Sequence, residues 1–541
     1  MDNPILRKIF CHIAATALLT CSPLPWWQLC LQEMLTKEKG NCIDKLWIIQ
    51  LVEADLNFIL KLIWGHHLNQ AACNHLYNES QFAILGKTCT GAVLNKVPFA
   101  DLTCQTKCLS CMTDNNNKAT FNWIQPALSV VTCRHLGLPT NAVLFIFTLL
   151  HRMEFKVGNS HGVSTNSYGA NDDPSNLHQG SGQGQGSGPM LYGTSADVIL
   201  IVFNRHCTGA LFQHPSNIDL PREDHVSQFV DDATQFVNSD GLEHQRANTI
   251  SNSCHQDSVS TGTSSLTPIA NRNSQKWSDY NWASGGKLNY EKCFWYLLHP
   301  ILKGKKYCFA SKDDLQGELN VTVPSNGTTM CIPHFEPSEA KWTLGDLFAP
   351  DGSNHHQIQH LKNKLQPWAN SIWVTHLHAN EKWIAYHLVL KPGILYPLPS
   401  RQCTASDLSP IQKIIDQEIL HSQHLSTSVP CTVLWGPLAN GSLGIASLHS
   451  ETLSEKVVYF IHHIHQHDMV SHKLWCSLGH LQLEIGIGEN VLKTQHDDLG
   501  IITTTSFVTD LWRECSTIGV TFWGVDSTLW VPNSKVIKIA S

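Results

Sequence analysis

The residues best suited to chemistry are Asp231 and Asp232, adjacent carboxylates in Phe229-Val230-Asp231-Asp232 at the tip of an apolar stretch from Val226 to Val237. Neighbouring aspartates repel each other and resist burial, so setting them between aromatic and β-branched residues points to a divalent cation that neutralises both. The same dipeptide between two strands also reads as an ordinary turn. What separates the two readings is what else the chain carries, and in which order.

Upstream lies Gly182-Gln183-Gly184-Gln185-Gly186-Ser187-Gly188-Pro189, a glycine-rich turn that leads into an apolar segment. Downstream come Gly285-Gly286-Lys287-Leu288-Asn289-Tyr290-Glu291-Lys292 and then Thr343-Leu344-Gly345. This succession resembles the reverse transcriptases: a Gln-Gly turn ending in a small residue and Pro, an aromatic-x-Asp-Asp hairpin, a Leu-Asn-x-x-Lys segment and a Leu-Gly hairpin. Flanking text is similar to the group encoded by non-LTR retroelements. It reads here as Ile49 to Asn57, as Gly86-Lys87-Thr88-Cys89 followed by Ala92 to Lys96, and as Ala283 to Gly286. The resemblance covers the chain from about Lys45 to about Leu398. It implies an α+β right-hand fold of fingers, palm and thumb, and RNA-templated synthesis of DNA from a primer and dNTPs.

Phosphoryl transfer of that kind uses two divalent ions, here Mg²⁺, clamped by carboxylates from neighbouring strands. By resemblance Asp231 and Asp232 are metal ligands, and the remaining carboxylate belongs five residues before an aromatic. Phe121 matches the aromatic, which puts Asn116 at the metal position and Asn122 where a second Asp usually stands. Asp114 lies on the same face of a strand but about 6–7 Å along it. Asn116 offers a carbonyl oxygen without charge, which a hard cation disfavours, so catalysis is expected to be severely impaired. The resemblance further places Phe121 under the sugar of the nucleotide, where it excludes a 2′-hydroxyl. Gln183 and Gly184 fall where backbone approaches nucleotide and template, and Lys292 where it would protonate or neutralise the leaving pyrophosphate. Each has a plainer reading: a core aromatic, a flexible loop, a solvated lysine. Trp47 and Trp123 stand where the family has arginines.

Charge is the unusual feature of the composition. Charged residues are 15% of the chain against roughly 25% in ordinary domains, and the formal net charge is −7, unexpected for a protein that must hold a phosphate backbone. Nine residues are Arg, leaving 28 of the 37 basic residues as Lys, while His reaches 31 and Trp 17. Deamination of cytosine converts Arg codons into codons for Cys, Trp, His or Gln, and Asp codons into Asn. The composition therefore reads as that of a decaying repeat: either an impaired reverse transcriptase or a catalytically dead nucleic-acid-binding remnant or pseudogene product.

Other signals are weaker. The 19 cysteines show no disulfide-framework spacing, which places the chain in a reducing, intracellular compartment, nuclear or cytoplasmic. Cys104, Cys108 and Cys111 cluster without a fourth zinc ligand at finger-like spacing. Arg7-Lys8 followed by Ile9 to Leu19 has the outline of a secretory signal, but the text continues unbroken from Pro25 to Gln28 into the motif region. No other run is long enough to span a bilayer. Gly86-Lys87-Thr88 lacks the first glycine of a phosphate-binding loop, since Gln81 holds that place. The run from His462 to His467 reads as an eroded basic helix or as a metal chelator.

These residues need elements to position them. Residues 1–110 are expected to form fingers, with helical text from Glu53 to Trp64, and residues 111–352 a palm. Within the palm, 238–275 reads as a mobile polar insertion. Residues 353–541 are expected to form a thumb and a helical C-terminal region. Apolar positions recur at Ile358, Leu361, Leu365 and Trp368 and at Trp383, Ile384, Leu388 and Leu390, with Pro367 interrupting the first thumb helix.

Overall fold

The computed structural model describes residues 3–36, 46–118, 120–169, 180–250, 263–304, 306–315, 317–445, 447–488, 490–499 and 503–522. Helix α1 (Pro4–Leu19) precedes strands β1 (Leu29–Thr36) and β2 (Leu46–Leu51). Helix α2 (Cys89–Thr106) leads into β3 (Ser110–Asn116), and helix α3 (Gly188–His206) precedes the hairpin of β4 (Val226–Phe229) and β5 (Asp232–Asn238). Helix α4 (Thr263–Ala283) leads to β6 (Phe294–Leu298), and a second hairpin joins β7 (Lys341–Thr343) to β8 (Asp346–Phe348). Helices α5 (His355–Val374), α6 (Leu448–Ile464), α7 (Met469–Ile485) and α8 (Phe507–Thr517) follow. The fold class is α+β, as expected.

The central sheet runs in the order β6–β3–β5–β4, with every pair antiparallel. Period-two alternation sends its apolar residues into two separate cores. Met112, Phe236, Tyr296 and Leu298 enter one core, and Cys111, Val237, Trp295 and Leu297 enter the other. By the same alternation Asp114 and Asn116 share the face of Met112, and Thr234 and Asp232 that of Phe236. Helix α2 packs on this face. Its N-cap Thr88 accepts a hydrogen bond from the Gly91 amide at 3.0 Å, and the helix is buried nearly all round, Asn95, Lys96 and Asp101 included. Helix α4 covers the opposite face through Leu266 and Ala270.

Buried residues away from the central sheet form further cores. A first core joins α1 and the segment up to Tyr77 with Phe145, Leu149 and Phe155, under a sheet in which β1 pairs antiparallel with β2 and parallel with the strand Glu154–Asn159. Helix α2 belongs instead with the central sheet. Beyond residue 353, Leu361, Leu365, Ile411 and Ile415 form a core of their own. Phe460, Leu474 and Trp512 of α6, α7 and α8 close over α2 and the sheet.

Two expectations about elements are corrected. Helix α5 runs straight through Pro367: an interior proline costs about 3 kcal/mol, but Leu361, Leu365, Ala369 and Ile372 are buried on both sides of it, each large apolar side chain contributing about 1.5–3 kcal/mol. The polar stretch 238–275 is helical where it is described, at Ser239–Ile250 and from Thr263 onward, while residues 251–262 lie outside the described residues. Its polar side chains serve neighbouring backbone: Asn273 donates to the Thr208 carbonyl at 2.7 Å, Asn271 to Glu318 at 2.8 Å and Gln275 to Thr322 at 3.0 Å. The recurring apolar positions from Trp383 to Leu390 lie in helical segments, with Ile384 and Leu388 exposed and Leu390 buried. Among the described residues no helix is long and apolar enough to cross a membrane.

Candidate active site

The β4–β5 turn consists of Val230 and Asp231, between the paired residues Phe229 and Asp232. Val230 adopts φ +52°, a left-handed conformation that a β-branched residue resists. Two hydrogen bonds hold it: the Val230 carbonyl accepts from Tyr192 Oη at 2.7 Å and from Gln228 Nε2 at 2.9 Å. Burial pushes the Tyr192 phenol up, which keeps it a donor. The Asn117 amide donates to the Asp231 carbonyl at 2.8 Å, clamping the turn to the end of β3.

Strand register then sets Asp232 directly opposite Asn116. Asn116 Nδ2 donates to Asp232 Oδ1 at 2.7 Å. Burial and the neighbouring Asp231 push the Asp232 carboxyl up to about 6, against the pull of the Asn116 hydrogen bond and Lys96. Asp114, one register step deeper, is engaged elsewhere. Its Oδ1 accepts from Lys96 Nζ and Thr234 Oγ1, both at 2.5 Å, and Lys96 also donates to Thr343 Oγ1 at 2.7 Å. Asp114 therefore ties α2 and β7 to the sheet and does not replace the residue at 116.

Phe121 sits in the short helix Thr120–Trp123 with its ring 5.4 Å from that of Tyr192, packed with Val230 beside the hairpin tip. The glycine-rich loop joins this turn to β2. Its Ser181 amide donates to the Phe121 carbonyl at 2.7 Å, and the Gln183 carbonyl accepts from the Gln50 amide at 2.6 Å. Gly184 has φ +101°, and a Cβ there would lie 2.7 Å from the Gln50 carbonyl oxygen, so the close approach requires glycine. Phe121 thus packs beside the carboxylate hairpin, whereas Gln183 and Gly184 contact β2 and reach the hairpin only through the Ser181–Phe121 bond. Lys292 is less directly placed. It ends the short turn Tyr290–Lys292, whose preceding residue Asn289 donates to the Asn116 carbonyl at 2.8 Å, and its side chain is exposed.

Sequence reasoning passed over Tyr192, Gln228 and Lys96. Lys96 carried a signal, a cation inside the apolar run Val93 to Phe99, which implies a buried partner. Tyr192 and Gln228 act on a backbone carbonyl and left no signal.

The donor set fits a Mg²⁺ centre only in part. Two carboxylates and a neutral amide meet at the hairpin, and that amide is turned as a donor toward Asp232, the reverse of what a cation requires. Among the described residues no group of three or more His, Cys, Asp or Glu converges on a metal position, and Cys104, Cys108 and Cys111 form no such group. His463 is buried in α6 and its ring is pushed down to about 4 by that burial.

No protein-family model matches the chain, and no curated protein does. Similar solved structures include telomerase from Candida albicans in complex with a TWJ fragment of telomeric RNA, 9% identical, with a TM-score of 0.35, covering 88% of this chain and 66% of that one. Another is apo telomerase from Candida tropicalis truncated from its C-terminal domain, 12% identical, with a TM-score of 0.30, covering 53% of each chain. The chain thus spans between about half and two thirds of the length of these structures.

Proposed function

We propose that this chain is a reverse-transcriptase-type polymerase of retroelement origin whose nucleotidyl transfer is disabled at Asn116. The central sheet is its palm, Asp231 and Asp232 the surviving carboxylates, and RNA template, DNA primer and dNTPs its ancestral substrates. The observation that carries the reading is the pairing of Asn116 with Asp232 across β3 and β5 at the tip of a two-residue hairpin. An aspartate at 116 would complete a cluster of three carboxylates on adjacent strands, the donor set that two hard cations require. With asparagine the set is one charge short, and the amide satisfies Asp232 internally.

The test is primer extension on an RNA template with Mg²⁺ or Mn²⁺. The parent chain is expected to give no product above background, since loss of one metal carboxylate costs on the order of a thousandfold or more in rate. Asn116→Asp should restore measurable nucleotide addition, and Trp47→Arg added to it should raise the rate further by returning a guanidinium for the triphosphate. Processive synthesis by the parent would overturn the assignment of Asn116.

A further inference from the structure

We propose that Trp123, Trp282, Lys118 and Lys287 form a binding surface for single-stranded nucleic acid, the bases stacking on the two indoles and the phosphates meeting the two lysines. Trp123, at the end of its short helix, is 42% exposed, and Trp282, in the last turn of α4, is 46% exposed. The chain brings them together at one turn. Gly285 donates its amide to the Trp282 carbonyl at 3.0 Å, and the Gln125 amide donates to Ser284 at 2.9 Å. A Cβ on Gly285 would lie only 2.6 Å from the Trp123 carbonyl oxygen. The turn after α4 is thus docked on the turn that carries Trp123.

Lys118 precedes the short helix that carries Trp123, and Lys287 follows the turn after α4. The Lys118 amide donates to the Lys287 carbonyl at 2.6 Å, which sets the two residues side by side, Lys118 exposed and Lys287 half-buried. Asn117, bonded to Asp231, immediately precedes them, so the surface is continuous with the candidate active site. The acidic groups nearest in sequence are Asp279, one turn earlier on α4 and bonded to Gln275, and the exposed Glu291.

Chemistry selects the ligand. The turn that follows Trp282 is Ala283-Ser284-Gly285-Gly286, which offers no large apolar side chain to a protein anchor. Two exposed indoles on turns docked to each other, with a lysine in each adjoining segment, suit a flexible chain of planar bases and phosphates, because every base has a π-face and stacking tolerates any sequence. With only two lysines engaged, affinity should depend weakly on salt, with a log–log slope of about −1.4.

The proposal takes its ligand class from the polymerase reading but not its chemistry, so the test is run in EDTA. A failure of primer extension leaves it standing, and its own failure leaves the Asn116 assignment standing. Fluorescence anisotropy of labelled oligo(dT) and oligo(U) is measured with the full chain. Trp123→Ala and Trp282→Ala should each weaken binding by about fivefold to a hundredfold. Trp123→Phe and Trp282→Phe should retain most of the affinity, which separates stacking from a folding defect, and Trp26→Ala, at a distant indole 53% exposed, should change nothing. A strand of abasic sites with intact phosphates should bind much more weakly than oligo(dT). The proposal is overturned if the abasic strand binds as tightly, or if the folded Trp123→Ala, Trp282→Ala double variant keeps the parent affinity.

Discussion

At the scale of single residues, one atom type separates two outcomes. An aspartate at 116 would place a further anion beside Asp231 and Asp232, a cluster tolerable only with cations bound. The asparagine present there donates to Asp232 at 2.7 Å, so that carboxylate is satisfied within the fold. Asp101 shows the opposite situation, a carboxyl with weak compensation. It is buried in α2, it accepts the Phe507 amide at the start of α8 at 2.7 Å, and burial pushes its carboxyl up to about 7, with Phe507 and Lys456 pulling the other way. The unfolded chain ionises near 3.9. Between those two values the native state holds a proton that the unfolded state releases, so stability falls as pH rises from about 4 through 7. Asp101→Asn keeps an acceptor for Phe507 and abolishes that loss. Urea unfolding between pH 5 and pH 8 should show a flatter profile for the variant and greater stability at pH 8, by at most roughly 4 kcal/mol. Identical profiles for parent and variant would refute this role for Asp101.

At the scale of elements, the carboxylate hairpin stores strain that its neighbours hold in place. A left-handed L-residue costs roughly 1–2 kcal/mol, and Val230 persists there because Tyr192 and Gln228 both bond its carbonyl. Tyr192→Phe should therefore lower stability by about 1 kcal/mol, and by measurably less in a Val230→Gly background, where the turn no longer needs restraint. Urea midpoints of the two single variants and the double variant give the coupling; strict additivity would show that the tyrosine is not holding strain. The facing of Asn116 and Asp232 was legible in the sequence because a motif fixes both a spacing and a register, and register on a two-sided sheet admits no slip. The Leu344-Gly345 hairpin was legible for the same reason: Leu344 and Gly345 both take positive φ, +49° and +83°. Tyr192, Gln228 and the course of α5 through Pro367 were not, because each depends on packing between segments far apart in the chain, where composition carries little information.

At the scale of the whole molecule, four cations are buried beside carboxylates. Lys96 pairs with Asp114, Lys456 with Asp510, Lys473 with Asp224 and Arg401 with Asp346, each of these cations all but fully buried. Four of the 37 Lys and Arg residues are thereby committed to the interior, where they join elements rather than meet a phosphate backbone. Lys473 shows how far. It is 0% exposed, its Nζ lies 2.5 Å from Asp224 Oδ2 and donates to Asn95 O and Oδ1 at 3.0 Å each, and the Phe236 ring centroid is 4.3 Å away. One ammonium thereby joins α7 to α2, to the strand Asn217–Asp224 and to the central sheet. Burying both charges costs more than their attraction returns unless the geometry is good, whereas removing one partner strands the other. Lys473→Met alone should therefore destabilise by about 3–5 kcal/mol, leaving Asp224 charged among phenyl rings. Adding Asp224→Leu removes that charge and should recover most of the loss, because an apolar pair of similar volume fits the surrounding core. Equilibrium urea unfolding of both variants decides it. A double variant no more stable than Lys473→Met would mean that α7 is held to the sheet by the shape of the lysine and its bonds to Asn95, and that the buried charge pair is incidental to how the C-terminal helices close over the site.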